Sequence, residues 1–207
     1  MTSARQPTVF IVDDDPAVRE SLALLLDLQG HRTRVFGDAK SFSSAYESSQ
    51  PGCLLLDLRM PGMSGAELQS ELAARGIELP IVVITAHGDV SATRAAFKAG
   101  ALDFLEKPIE PDALREAVEA ALARDAELRQ RAARAGAATS KLDALTGRER
   151  EVVERAARGL HNREVAAELG ISPRTVEVYK ARAMEKLGIR RLPDLVRLVM
   201  RAQGIVE

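Results

Sequence analysis

The chain has 207 residues, 46% hydrophobic and 29% charged, which excludes a small disulfide-stapled peptide and a wholly disordered chain. A single cysteine, Cys53, excludes a disulfide framework and an all-cysteine metal cage, and three scattered histidines (His31, His87, His161) argue against a histidine-rich zinc site. The net charge of −1 conceals an asymmetry: residues 1–125 carry 12 basic and 19 acidic side chains, residues 126–207 carry 17 and 11. An acidic half joined to a basic one points to two domains with different partners, the basic one a candidate for nucleic acid. A plain solvated basic face gives the same arithmetic. No apolar run approaches the roughly 20 residues that cross a bilayer. MTSARQPTVF lacks a signal-peptide core, so a cytoplasmic protein without a membrane partner is expected.

In chain order, Val9–Val12, Cys53–Leu56 and Ile81–Ile84 are unbroken apolar runs of strand length, the mark of strands buried on both faces. Thr33–Phe36 and Leu102–Leu105 are shorter candidates. Between them lie amphipathic patterns: Val18, Leu22, Leu25 and Leu26 share one helix face, as do Leu114, Val118, Ala121 and Leu122. Five βα units in about 125 residues predict a doubly wound, five-stranded parallel sheet. From Glu110 the last helix runs into RDAELRQRAARAG and is expected to fail near Gly136. Residues 126–141 therefore read as a linker, helical at its start and flexible over Gly136–Lys141.

Residues 142–207 show no strand pattern. Thr146 and Glu149 have capping-box spacing before a first helix, Asn162 is the expected cap of a second that stops at Gly170, and Ser172-Pro173 starts a third that ends at Gly188. Leu192–Met200 makes a fourth. The tight turn Leu169-Gly170-Ile171-Ser172 between helices is a helix-turn-helix signature.

Ligands of open α/β sheets sit beyond the carboxyl ends of the strands. There this chain places Asp13-Asp14-Asp15, Asp57, Thr85 and Lys107-Pro108. Clustered carboxylates repel unless a cation compensates, and a hard divalent ion such as Mg²⁺ takes oxygen ligands. Such a set suits phosphoryl chemistry: a carboxylate attacks phosphorus, the metal neutralises charge, a lysine pairs with the phosphate and the Thr85 hydroxyl donates to it. Taken singly, each residue also reads as an ordinary strand-end turn or surface charge; the set is what carries weight.

IVDDDP, LLLDLRMPGMSG, VVITAHGD and DFLEKP together resemble the signature segments of response-regulator receiver domains, over residues 7–125. The resemblance implies a flavodoxin-like receiver domain at 1–125 with Asp57 as phospho-acceptor. By the same resemblance Asp14 binds Mg²⁺ directly, Asp13 helps through water, and the Arg59 backbone carbonyl completes the metal site. Thr85 and Phe104 match the hydroxyl and aromatic switch positions, Lys107 matches the phosphate-binding lysine, and the Lys107–Pro108 bond is expected to be cis. The family often has tyrosine where this chain has Phe104, which moves but cannot hydrogen-bond.

On a helical wheel the third C-terminal helix turns Val176, Tyr179, Ala183 and Leu187 inward and Arg174, Val178, Ala181, Arg182 and Glu185 outward, with Thr175 and Glu177 flanking. Small and polar residues outward fit a major groove; Arg174, Lys180 and Arg182 reach phosphates and Thr175 donates to one. LTGREREVVERAARGLHNREVAAELGISPRTVEVYKARAMEKLGIR is similar to the LuxR/FixJ-type DNA-binding domain, over residues 142–207. That implies an all-α, four-helix helix-turn-helix domain with its recognition helix at Ser172–Leu187. Base contacts then fall on Glu177, Val178 and Ala181, and backbone contacts on Arg174, Thr175, Lys180 and Arg182. Glu177 accepts from a cytosine amino group.

The expectation is a two-component response regulator of the LuxR/FixJ (StyR-like) type, a transcription regulator rather than an enzyme. Its implied partners are a sensor histidine kinase, double-stranded promoter DNA, a second copy when phosphorylated, and RNA polymerase. Phosphorylation is expected to reorder Thr85 and the loop beginning at His87. A phosphatase using an aspartyl-phosphate is the first competitor, but it needs an acid/base aspartate two residues after Asp57, where Arg59 stands. The second is a phosphorylation-independent DNA-binding protein with a degenerate receiver. Cys53 is expected to pack in a buried strand, and Met60 and Met63 to shape the loop after Asp57.

Overall fold

The computed structural model describes residues 6–85 and 90–205, the side chains of 90–93 excepted, so the loop position His87 lies outside the described residues. Five parallel strands, β1 (Thr8–Val12), β2 (Arg32–Phe36), β3 (Gly52–Asp57), β4 (Ile81–Thr85) and β5 (Asp103–Glu106), pair in the order β2-β1-β3-β4-β5. Helix α1 (Pro16–Leu28) and the first half of α5 (Pro111–Leu142) cover one face; α2 (Ala39–Ala45), α3 (Gly65–Ala74) and α4 (Val90–Lys98) cover the other.

Every residue of β1 and β3 is buried, which explains why their sequences are continuously apolar. Alternate strand residues feed two cores. Val9, Ile11, Cys53, Leu55, Val82 and Ile84 meet Leu22, Leu26, Leu114 and Val118, while Phe10, Val12, Leu54, Leu56 and Val83 meet Phe42, Leu68 and Leu72. β2 lies at the sheet edge and is only partly covered, so its apolar signal is weak.

Compactness divides the chain into two units, one ending at Leu128 and the other beginning at Arg129. The expected break near Gly136 is absent, because α5 continues unbroken to Leu142. Gly136 has no neighbour within 4 Å of an added Cβ and lies in an alanine-rich run, so one glycine costs only about 1 kcal/mol of helix propensity and does not end the helix. Thr139 also bonds back to the Ala135 carbonyl, 3.0 Å, from within the helix.

Four helices follow in the second unit: α6 (Gly147–Ala157), α7 (Asn162–Leu169), α8 (Pro173–Lys186) and α9 (Leu192–Ala202). Thr146 and Glu149 form the capping box of α6. The cap position of α7 is His161, one residue before the one expected, and Glu164 accepts from its backbone N–H at 2.7 Å. Asn162 is the first helical residue instead, its side chain committed to α8. Gly170 turns the chain with φ 65°, and Ser172 caps α8. Val153, Ala183, Leu195 and Val199 centre one core of this unit, Val152, Val165 and Val176 the other.

Candidate functional site

The chain reverses its direction of winding between β1 and β3, and the carboxyl ends of these two strands lie side by side. Asp13 follows β1, Asp57 closes β3, Thr85 closes β4 and Lys107 follows β5, so four separate segments deliver the polar side chains to one edge. Asp13, Asp14 and Asp57 each present a carboxylate oxygen within 4.8 Å of the others.

The three consecutive aspartates divide the work. Asp13 is fully buried and Asp14 exposed. Asp15 turns away: its side chain accepts from the Ala17 N–H at 2.8 Å, the N-cap of α1 ahead of Pro16. Asp13 Oδ1 in turn accepts from the Asp15 N–H, 2.9 Å.

Lys107 bridges the buried acids. Its Nζ lies 2.7 Å from Asp13 Oδ2 and 2.9 Å from Asp57 Oδ2. Partial burial pulls the ammonium pKa down, but the hydrogen bonds and charges of Asp13 and Asp57 outweigh it and hold the pKa above the usual lysine value. With three carboxylates and one ammonium the cluster keeps a formal charge of −2. An all-oxygen donor set with that charge fits a hard divalent cation.

Backbone packing sets the two ends of this bridge. Gly65 N–H donates to Leu58 O at 3.1 Å, and a Cβ on Gly65 would stand 2.2 Å from Asp57 O, so only glycine lets α3 start so close to the acid. The Arg59 N–H donates to Asp57 Oδ1 at 3.0 Å. Leu58 and Met60 are buried and anchor the loop, with Met63 packed against the same core. On the other side Lys107 N–H extends the ladder to Thr85 O, 2.9 Å, before the cis Lys107–Pro108 bond.

Thr85 is buried beside this cluster, but Phe104 is not part of it. Phe104 pairs in register with Val83, two residues before Thr85, and the residue is 43% exposed, its ring edge-on to Phe97 at 5.8 Å. Arg19, which the helix pattern of α1 does not mark, donates from Nη1 to the Asp13 backbone carbonyl at 2.6 Å.

In the second unit α8 buries Val176 and Ala183, with Tyr179 and Leu187 partly covered, as the wheel requires. Arg174, Glu177, Val178, Ala181 and Arg182 are exposed on the same helix. Arg174 and Arg182 have no ion pair among the described residues, whereas Arg150 and Arg155 are tied to Glu154 and Glu168. Thr175 caps back onto Ser172, its N–H to Oγ at 3.1 Å. Lys180 is half-buried and donates to Asn162 Oδ1 at 3.0 Å, and Asn162 Nδ2 donates to Glu177 Oε1 at 3.3 Å. Sequence reasoning missed this cross-link because a polar residue at a helix start reads first as a cap.

Residues 9–119 match the family model described as the response regulator receiver domain, and residues 143–199 match that of the bacterial regulatory proteins of the luxR family. The transcriptional regulatory protein FixJ of Azorhizobium caulinodans is 47% identical over 195 residues, 94% of this chain and 92% of the relative. Among solved structures, the response regulator StyR has 47% identity and a TM-score of 0.77, over 95% of this chain and 99% of StyR. Full-length FixJ from B. japonicum has 40% identity and a TM-score of 0.59, over 97% and 98%.

Proposed function

The chain belongs to the response regulators that join a receiver domain to a LuxR-type DNA-binding domain and regulate transcription, and on that premise we propose that phosphorylation of Asp57 controls DNA binding through α8. The observation that carries this reading is the Lys107 bridge between Asp13 and Asp57 at the switch point of the sheet. In the reaction an Asp57 carboxylate oxygen attacks phosphorus of a phosphohistidine on a sensor kinase. The P–N bond breaks, its electron pair leaves with the imidazole, and an acyl phosphate forms on Asp57.

Asp13, Asp14, Asp57 and the Arg59 carbonyl are the groups that would hold Mg²⁺. When bound, the ion supplies charge neutralisation for the phosphoryl oxygens. Lys107 exchanges its contact with Asp57 Oδ2 for a phosphoryl oxygen, and the Thr85 hydroxyl donates to another. The acyl phosphate carries a charge of about −1.5 to −2 in place of the single negative charge of the Asp57 carboxylate, which favours reordering at Thr85. Phe104, exposed against Phe97, is the side chain whose position follows.

At the other end, Arg174, Thr175, Lys180 and Arg182 hold DNA phosphates while Glu177, Val178 and Ala181 face bases in the major groove. The phosphorylated chain acts as a dimer on promoter DNA, with RNA polymerase as the downstream partner, in the cytoplasm. Among the described residues no helix is long and apolar enough to cross a membrane.

The test is incubation with acetyl phosphate and Mg²⁺ followed by intact-mass measurement. Wild type should gain the mass of one phosphoryl group and Asp57→Asn none. Equal labelling of the two proteins contradicts the assignment, and sustained release of phosphate from p-nitrophenyl phosphate would favour a phosphatase instead.

A further inference from the structure

The contact of Arg19 with the acidic cluster has a consequence for cation binding. Arg19 lies in the first turn of α1, its N–H bonded to Asp15 O at 3.1 Å, and its guanidinium reaches back to Asp13 O at 2.6 Å. Beside it runs Gly37, just after β2; a Cβ there would sit 3.5–3.7 Å from Nη1, Cζ and Nη2, so the guanidinium lies along the glycine backbone. The Asp13 N–H is held separately by Phe36 O, 3.3 Å. Both backbone polar groups of Asp13 are therefore fixed.

The carbonyl that Arg19 holds belongs to the peptide joining Asp13 to Asp14. A peptide unit is planar, so fixing its oxygen fixes the direction in which Asp14 leaves it. Among the described residues the Asp14 carboxylate has no hydrogen-bond or ion-pair partner, so the backbone alone brings it to within 4.8 Å of the other two. We propose that Arg19 is a positioning residue of the cation site, holding the Asp13–Asp14 peptide so that both carboxylates converge with Asp57. This rests on the reading of the cluster as a cation-binding phosphorylation site.

The sign of the effect separates positioning from charge. A guanidinium near a cation site repels the cation, so by charge alone its removal tightens binding; by positioning its removal weakens binding. Mg²⁺ affinity of the full chain is measured by calorimetric titration, with helix content checked by circular dichroism. Arg19→Met, which keeps the apolar stem and loses charge and donors, should raise the Mg²⁺ Kd about tenfold, the usual effect of losing a partner that orients a ligand. Arg19→Lys, which keeps one donor, should fall between the two. Labelling of the methionine variant by acetyl phosphate should return to near the wild-type rate at saturating Mg²⁺, because the bound ion then imposes the geometry. An unchanged or lower Kd in folded Arg19→Met overturns the proposal, as does a loss of thermal stability alone. If Arg19→Met unfolds, Arg19→Lys and Arg19→Gln decide it, wild-type affinity in both being the overturning result. Absence of Mg²⁺ binding by wild type refutes the cation site itself, and the role of Arg19 with it.

Discussion

At the residue scale the acidic cluster turns on one ammonium shared by two buried carboxylates. Removing one partner of a buried charged pair leaves uncompensated charge, so the bridge matters more than surface ion pairs such as Arg115–Asp112. Lys107→Ala should lower the acetyl-phosphate labelling rate roughly 100-fold, the cost of losing one donor aimed at developing charge. Mg²⁺ should bind the variant no more weakly than wild type, since the lysine competes for the same carboxylates. Labelling within threefold of wild type would show that the ammonium is not used. Cys53 sits apart from this chemistry: burial, and then the negative charge of Asp125, push its thiol up to about 12, so it stays an inert core residue as its strand position implies. Asp13, Asp57, Thr85 and Lys107 were legible in the sequence because each follows or ends a strand or its ladder. Arg19 was not legible, since between Val18 and Glu20 it reads as the solvent face of an amphipathic helix. The division of labour that makes Asp15 a cap also needs coordinates.

Elements were legible where their periodicity was long or their boundaries chemical. β1, β3 and β4 stand out because both faces are covered, and α6 and α8 because Thr146, Ser172 and Pro173 satisfy or dispense with orphan N–H groups. α2 has seven residues, under two turns, too short for a helical repeat to show. The continuation of α5 through Gly136 is not legible in the sequence because a lone glycine signals a break, while its alanine neighbours are strong helix formers that carry the helix past it. In the second unit the capping box of α6 doubles as an ion pair, with Lys186 Nζ 2.7 Å from Glu149 Oε2. Hydrogen bonds from Lys186 and then from Thr146 lower the Glu149 pKa from 4.5 to about 2. A depressed carboxylate stabilises the folded state fully above the unfolded pKa and progressively less as pH falls through the folded one. Thermal melting of α6–α9 should therefore lose stability between pH 4.5 and about 2, and Glu149→Gln should be less stable at pH 7 with the gap closing near pH 2. A gap independent of pH would assign Glu149 no role as a charged partner.

At the scale of the whole molecule the charge split seen in composition becomes a division of tasks. The acidic first unit concentrates carboxylates at one sheet edge, and in the basic second unit Arg174 and Arg182 on α8 have no ion pair among the described residues, whereas Arg148, Arg150, Arg155 and Arg158 are paired with acidic side chains of the same unit. Composition showed this asymmetry but not which arginines are free, because pairing depends on which helix faces meet. With Arg174, Lys180 and Arg182 on phosphates, as proposed, DNA affinity should fall with salt whatever the state of Asp57. The link between the units is the central claim, and DNA affinity tests it most directly. Wild type with and without acetyl phosphate and Mg²⁺, and Asp57→Asn, are titrated by fluorescence anisotropy against fragments that the protein itself enriches from genomic DNA. Affinity should rise roughly tenfold on phosphorylation of wild type, within the usual range of coupling between sites, and stay fixed in Asp57→Asn. Equal affinity of phosphorylated wild type and Asp57→Asn would contradict it.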